Sequence, residues 1–200
     1  VFLAVKPQLL EGVLDETRDS VKAGQIFISI APGKTLQWLG ERLGENTKVI
    51  RTMPNTPAMV GEGMTALCVN ELVTEEEIAL AVKLCDTFGK TEVIPEHLMD
   101  AVVGVSGSSP AYVFMFLEAM ADAAVADGMP RAQAYKFAAQ SVLGSAKLML
   151  ETGKHPGELK DMVCSPAGTT IQAVRDLEEK GFRSAVIEAQ TECVKKAKGM

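Results

Sequence analysis

The stretch Gln25-Ile26-Phe27-Ile28-Ser29-Ile30-Ala31-Pro32-Gly33-Lys34-Thr35-Leu36-Gln37-Trp38-Leu39-Gly40-Glu41-Arg42-Leu43 changes its period halfway along. Residues 26–30 form a short, nearly continuous apolar run, as expected of a strand covered on both faces. Past the Ala-Pro-Gly turn, Leu36, Leu39 and Leu43 recur at helical spacing. Strand, turn and helix follow one another, and the unit repeats on either side. Upstream, residues 1–5 predict a strand. A helix is expected over 8–23, with Leu9, Leu10, Val13, Leu14 and Val21 on one side and Gly24 as its stop. Downstream, residues 48–53 read as a third strand, ended by the Pro54-Asn55-Thr56-Pro57 loop, and residues 64–69 as a fourth. Thr74 and Glu77 have the spacing of a capping box, opening a helix that stops near Gly89, and residues 91–94 close the series. Such alternation predicts an α/β layer with a mostly parallel sheet.

Beyond Pro95 the strand pattern ends. Ser109 reads as an N-cap and Pro110 as the first position of a helix over 111–127, with Gly128 after it. Pro130 opens a second helix that runs to about residue 151, before Gly153. Two further helices are expected over 171–180 and 183–198, separated by Gly181. The first two are apolar on several faces (Tyr112, Phe114, Met115, Leu117 and Met120; Phe137, Val142, Leu143, Leu148 and Met149). A helix apolar all round must be covered all round, which calls for a second subunit. The expected fold class is therefore α/β followed by all-α, with a domain at 1–95 and another at 96–200.

The 200 residues are 47% hydrophobic and 23% charged, a soluble composition for one or two domains. A net charge of −6 argues against a nucleic-acid partner. No apolar run approaches the ~18 residues of a membrane span, and no signal peptide is visible, so no membrane association and a cytoplasmic location are expected. Cys68, Cys85, Cys164 and Cys193 are scattered, without a C-x-x-C pair, and read as reduced structural thiols. His97 and His155 lie far apart without ligand-spaced companions, and no metal site is expected. The opening at Val1, inside a strand pattern and without Met, reads as N-terminally incomplete.

Three groups of loops hold the glycines and hydroxyls that chemistry would need. Lys6-Pro7 and the turn at Ser29-Ile30-Ala31-Pro32-Gly33 follow the first two strands, and Pro54-Asn55 follows the third. In open α/β sheets, ligands bind beyond such carboxyl ends; ordinary strand-to-helix turns would look the same. Ser106-Gly107-Ser108-Ser109-Pro110 precedes an expected helix start, where a small anion could sit or where Ser109 simply caps. Cys164-Ser165-Pro166-Ala167-Gly168-Thr169-Thr170 offers free amides, a flexible Gly168 and two threonine hydroxyls suited to a carboxylate, and a capped turn is the plain alternative. With no nucleophilic triad, carboxylate dyad or metal cluster, any chemistry must be borne by a cofactor.

Residues 105–112 (Val-Ser-Gly-Ser-Ser-Pro-Ala-Tyr) and 155–171 (His-Pro-Gly-Glu-Leu-Lys-Asp-Met-Val-Cys-Ser-Pro-Ala-Gly-Thr-Thr-Ile) closely resemble signatures of pyrroline-5-carboxylate reductases. Ala4-Val5-Lys6-Pro7 and Met53-Pro54-Asn55-Thr56-Pro57 resemble that family too, in the same order. The resemblance implies an incomplete Rossmann-like dinucleotide-binding domain followed by a helical dimerisation domain. It also implies NADPH (or NADH) as cofactor and reduction of 1-pyrroline-5-carboxylate to L-proline, the last step of proline biosynthesis. By the resemblance, Ala4, Val5, Lys6, Pro7, Ile30, Ala31, Pro32, Pro54 and Asn55 would line the cofactor. Glu96, Ser108, Ser165, Gly168, Thr169 and Thr170 would bind substrate, with Thr170 as the catalytic hydroxyl near the imine nitrogen.

A homodimer is implied, and a larger ring of dimers. Two positions depart from the family's text. Pro32 cannot donate an amide hydrogen bond, and Ala167 replaces a glycine, which is tolerable only if its φ is negative. The units with the pyrophosphate-binding G-x-G-x-x-G turn are expected upstream of Val1. Two other readings are a non-catalytic dimerising fragment and a hydroxy-acid dehydrogenase. The latter would need a catalytic lysine, and residues 106–112 contain none.

Overall fold

A computed structural model describes residues Val1–Gly199. Five strands, β1 (Phe2–Leu3), β2 (Ile26–Ser29), β3 (Lys48–Met53), β4 (Gly63–Val69) and β5 (Gly89–Val93), form one sheet in the order β1-β2-β3-β4-β5. The β1–β2, β2–β3 and β4–β5 pairs are parallel, but β3 and β4 run antiparallel. Three of the four pairs are parallel, as expected of a mostly parallel sheet, and the single antiparallel pair makes it mixed. The cause is the connection over residues 54–62, too short for the crossover of about a dozen residues that a parallel pair requires.

Helices α1 (Pro7–Thr17), α2 (Leu36–Leu43) and α3 (Glu75–Cys85) cover the sheet. Successive strand residues point to opposite faces, and both faces have cores. Phe27 and Val49 pack with Leu3, Leu10, Leu14, Leu39 and Leu43 on one side. Ile28 and Ile50 pack with Leu67, Val73 and Ala81 on the other. This two-sided burial is why the strands read as unbroken apolar runs. Both halves of the capping box at Thr74 and Glu77 form. The first helix, however, stops at Thr17 instead of reaching residue 23, continuing only as a 3-10 turn, Arg18–Ser20. Asp19 and Ser20 favour turns over helix interiors, and Val21 is already extended.

The second half is helical: α4 (Met99–Val102), α5 (Ser109–Ala126), α6 (Arg131–Thr152), α7 (Pro156–Val163), α8 (Thr169–Glu179) and α9 (Phe182–Ala197). Helix α7 falls where only a motif stood out. Its start signals are the N-cap His155, whose Nδ1 accepts from the Gly157 amide at 3.1 Å, and Pro156 at the first position.

Ser109 is not an N-cap. A 3-10 turn (Glu96–Leu98), α4, a π turn (Val103–Gly107) and α5 run on as one helical stretch, Glu96–Ala126. That stretch, with a mean hydropathy of 1.2 in its most apolar window and little of that window buried, is long and apolar enough to cross a membrane. This corrects the expectation that no run approaches that length.

The chain divides into two compact units, one of Val1–Pro110 with Gln190–Met200, the other of Ala111–Ala189. In the first, Gly104 is obligatory. A Cβ there would lie 2.8 Å from Gln190 Cγ and 3.0 Å from Val194 Cγ2, so only glycine lets the end of α9 pack so closely. In the second, the buried apolar residues are Ala121, Ala134 and Ala138, among the described residues. Phe114 and Phe137 are each 65% exposed.

Candidate functional site

Strands β1, β2 and β3 are adjacent and parallel, so their carboxyl ends share one end of the sheet. Ala4, Val5, Lys6 and Pro7, then Ile30, Ala31 and Pro32, then Pro54 and Asn55 therefore lie along that end. Lys6 is the N-cap of α1 and provides no side-chain cap; Pro7 has no amide hydrogen and the Leu9 amide donates to the Lys6 carbonyl at 2.9 Å, which leaves the Gln8 amide at this end of the helix. Ala31 is buried, its amide donating to Ser29 Oγ at 3.3 Å, while Ile30 and Pro32 are exposed. Thr52 Oγ1 donates to the Ser29 carbonyl at 3.1 Å and ties the ends of β2 and β3 together. Small side chains and backbone donors at strand ends suit a dinucleotide, which needs close approach and a positive helix terminus. Pro32 contributes shape only.

Glu96 is engaged internally. Its Oε1 accepts from the Leu36 amide at 2.7 Å and from Arg51 Nη1 at 3.0 Å. It thus caps α2 from outside, in concert with Thr35, whose Oγ1 accepts from the Trp38 amide at 3.0 Å. It also neutralises Arg51, which is buried mid-strand. Across the β3–β4 pair from Arg51 lies Cys68, whose thiol is pushed up to about 12, chiefly by burial and further by the Glu96 charge, against the opposing pull of Arg51. It stays a neutral thiol at physiological pH. Sequence reasoning missed this network; its signal was an arginine in the interior of a strand, beside Val49 and Ile50.

Asn55 makes several contacts within the first unit. Its Oδ1 accepts from the Met64 amide at 2.8 Å, and its Nδ2 donates to the Ser106 carbonyl at 3.3 Å and to Ser106 Oγ at 3.2 Å. Its own carbonyl accepts from the Ala58 amide at 3.2 Å. Ser108 Oγ lies 3.0 Å from Cys193 Sγ.

The second unit contains the Ser165–Thr170 segment. Ala167 has φ +56°, which overturns the requirement for negative φ there. A left-handed alanine costs about 1–2 kcal/mol, which the surroundings must supply. The next residue explains the shape. A Cβ on Gly168 would stand 2.3 Å from Ser165 Oγ and 3.1 Å from the Ser165 carbonyl oxygen, so glycine lets the Ser165 hydroxyl lie directly over this residue. Its amide donates to the Ser165 carbonyl at 3.0 Å, closing the turn. Gly168 is also the N-cap of α8 and has no side chain with which to cap it. The amides of Thr169, Thr170 and the following residue thus open the helix with its positive end toward the loop. Thr170 is partly buried and Thr169 exposed. Hydroxyls beside open amides can hold a carboxylate and donate to a ring nitrogen.

The second half of the chain, residues 96–200, matches the family model for pyrroline-5-carboxylate reductase dimerisation. A pyrroline-5-carboxylate reductase of Escherichia coli K12 is 61% identical over 197 residues, 98% of this chain and 73% of that protein. The Plasmodium falciparum pyrroline carboxylate reductase, solved with NADP bound, superposes with a TM-score of 0.92 at 31% identity, over 99% of this chain and 75% of that one. The Coxiella burnetii pyrroline-5-carboxylate reductase also gives 0.92, at 35% identity, over 100% and 74% respectively.

Proposed function

The chain belongs to the pyrroline-5-carboxylate reductase family, and from that premise we propose how its residues serve the reduction of 1-pyrroline-5-carboxylate to L-proline with NAD(P)H. A nicotinamide cofactor held at the sheet end would supply the hydride for the imine carbon. Ala4, Val5, Lys6 and Pro7 line the cofactor, with the N-terminus of α1 beside them. Ile30, Ala31 and Pro32 form an apolar wall for its ribose and nicotinamide end, and Pro54 and Asn55 border it. The wall aligns the two reactants, and orientation can contribute several kcal/mol to lowering a barrier.

The Ser165–Thr170 loop carries the substrate part of this reading: an uncapped helix N-terminus, shaped by a left-handed Ala167 and by Gly168 packed on Ser165. Thr169 and the amides hold the carboxylate. Thr170 Oγ1 donates to the ring nitrogen, which makes the adjacent carbon a better hydride acceptor. Glu96 and Ser108 are the further residues assigned to substrate. Residues 1–95 serve the cofactor and residues 96–200 dimerisation and substrate.

The apolar faces of α5 and α6 fit a homodimer, and we extend this to a ring of dimers with no membrane contact for the Glu96–Ala126 stretch. Four free cysteines suit a reducing compartment such as the cytoplasm. Oxidation of NADPH by the whole enzyme with 1-pyrroline-5-carboxylate tests the reading. Thr170→Val should lower kcat/KM by about 10–100-fold with the fold intact, the range for losing a positioned donor. Unchanged kinetics would remove Thr170 from the reaction.

A further inference from the structure

Pro110 sits inside a helical stretch and has no amide hydrogen, so the carbonyl four residues earlier, on Ser106, loses its α-helical donor. The chain answers with a π turn over Val103–Gly107, in which the Ser108 amide reaches back to the Val103 carbonyl at 2.8 Å. Two side chains serve the displaced carbonyls. Ser109 Oγ donates to Val105 O at 2.8 Å, and Asn55 Nδ2, from the end of β3, donates to Ser106 O. The second reaches across 51 residues of sequence and is backed by the Met64 amide on Asn55 Oδ1. Insertions of this kind into a helix occur frequently at functional sites.

We infer that Asn55 is a positioning residue for the reduction: it locks the π turn created by Pro110, and with it the Ser106–Ser108 hydroxyls, to the carboxyl end of β3. This inference rests on the reductase reading and changes the part Asn55 plays in it. With Oδ1, Nδ2 and its carbonyl all engaged, Asn55 has little left with which to hold a cofactor directly. Its neighbour Pro54 and the 3-10 turn Thr56–Val60 keep its backbone in place. An aspartate at 55 would still accept from Met64 but would face Ser106 O with a second acceptor, which distinguishes the two halves of the clamp.

The test is a pair of backgrounds in the whole enzyme. In the native background, Asn55→Ala and Asn55→Asp should each lower kcat by roughly tenfold or more, as small misplacements near reacting groups do. The KM for NADPH should stay within about twofold, because no direct cofactor contact is lost. Amide exchange should accelerate over residues 103–111. Replacing Pro110 by alanine restores a donor to Ser106 O. In the Pro110→Ala background, adding Asn55→Ala should then cost at most about a third as much in kcat as in the native one.

A raised KM for NADPH with kcat unchanged would overturn the inference, by making Asn55 a cofactor ligand. So would equal costs in both backgrounds, or unaltered exchange over 103–111. Activity of the unsubstituted enzyme on the imine tests the reductase reading separately. Exchange and thermal unfolding of the same five proteins read the coupling whatever that activity proves to be.

Discussion

The two halves of the chain bury apolar residues to very different extents. The sheet half closes on itself: Leu10, Leu14, Leu39, Val49, Ile50 and Leu67 are all fully buried, on two faces of one sheet. Each such side chain contributes about 1.5–3 kcal/mol when fully buried. The helical unit Ala111–Ala189 is built around the two longest helices, α5 and α6, yet among the described residues its buried apolar positions are three alanines, while Phe114, Met115, Phe137, Leu150 and Ile187 are exposed. Apolar content therefore does not by itself make a core. The sheet half owns its core, whereas the helical half has the surface of a core whose remainder belongs to a second copy, in keeping with its match to a dimerisation domain.

Charge on the helical face should break this contrast most severely. Phe137→Asp should abolish the dimer and cost several kcal/mol, since it buries an unpaired carboxylate in the joint core. Light scattering and circular dichroism would detect it, and a variant that stays dimeric at micromolar concentration would show that this face is not covered by the partner. In the sheet half, Glu96→Ala should cost about 2–3 kcal/mol by urea unfolding, leaving buried Arg51 unpaired and the Leu36 amide uncapped. Its effect should leave the oligomeric state alone, which sharpens the distinction between the halves.

A smaller and opposite effect is expected at the substrate loop. Ala167→Gly should raise stability by about 0.5–1 kcal/mol, the left-handed strain relieved exceeding the extra freedom of the unfolded glycine. A fall in stability would mean that Ala167 packs more than it strains.

The last effect vanishes at neutral pH and emerges only in alkaline solution. The Cys68 thiol is raised in the folded state from 9.0 to about 12, so the folded protein holds its proton where the unfolded chain has released it. The resulting stability is full below pH about 9 and declines toward pH 12. Cys68→Ala should lose that alkaline decline in a pH series of thermal midpoints.

The strands were legible because burial on both faces of a sheet writes continuous apolar runs, and residues 48–53 matched β3 at both ends. The start of α5 was not. Pro110 after a serine has the local chemistry of a helix start, and its place within a continuing helical stretch goes with a π turn, the Ser109 hydroxyl and the distant Asn55, which a local reading does not show. The direction of β4 was likewise hidden, because it depends on the length of a loop whose prolines and hydroxyls resemble any other turn. At the candidate site, the Ser-Pro-Ala-Gly-Thr-Thr segment announced itself, but the conformation of Ala167 did not. Its φ is imposed by Gly168 folding back on Ser165, a contact that residue types alone do not specify. Glu96 and Arg51 are 45 residues apart and acquire meaning only when the fold brings them together.

The thin interior of α5 and α6 also makes dilution a denaturant. Where a fold is completed by a second copy, mass action enters its stability, and the thermal midpoint rises with protomer concentration. The amount of enzyme present then sets how much of each molecule stays folded, so the helical half should be the first part of the protein lost as its concentration falls.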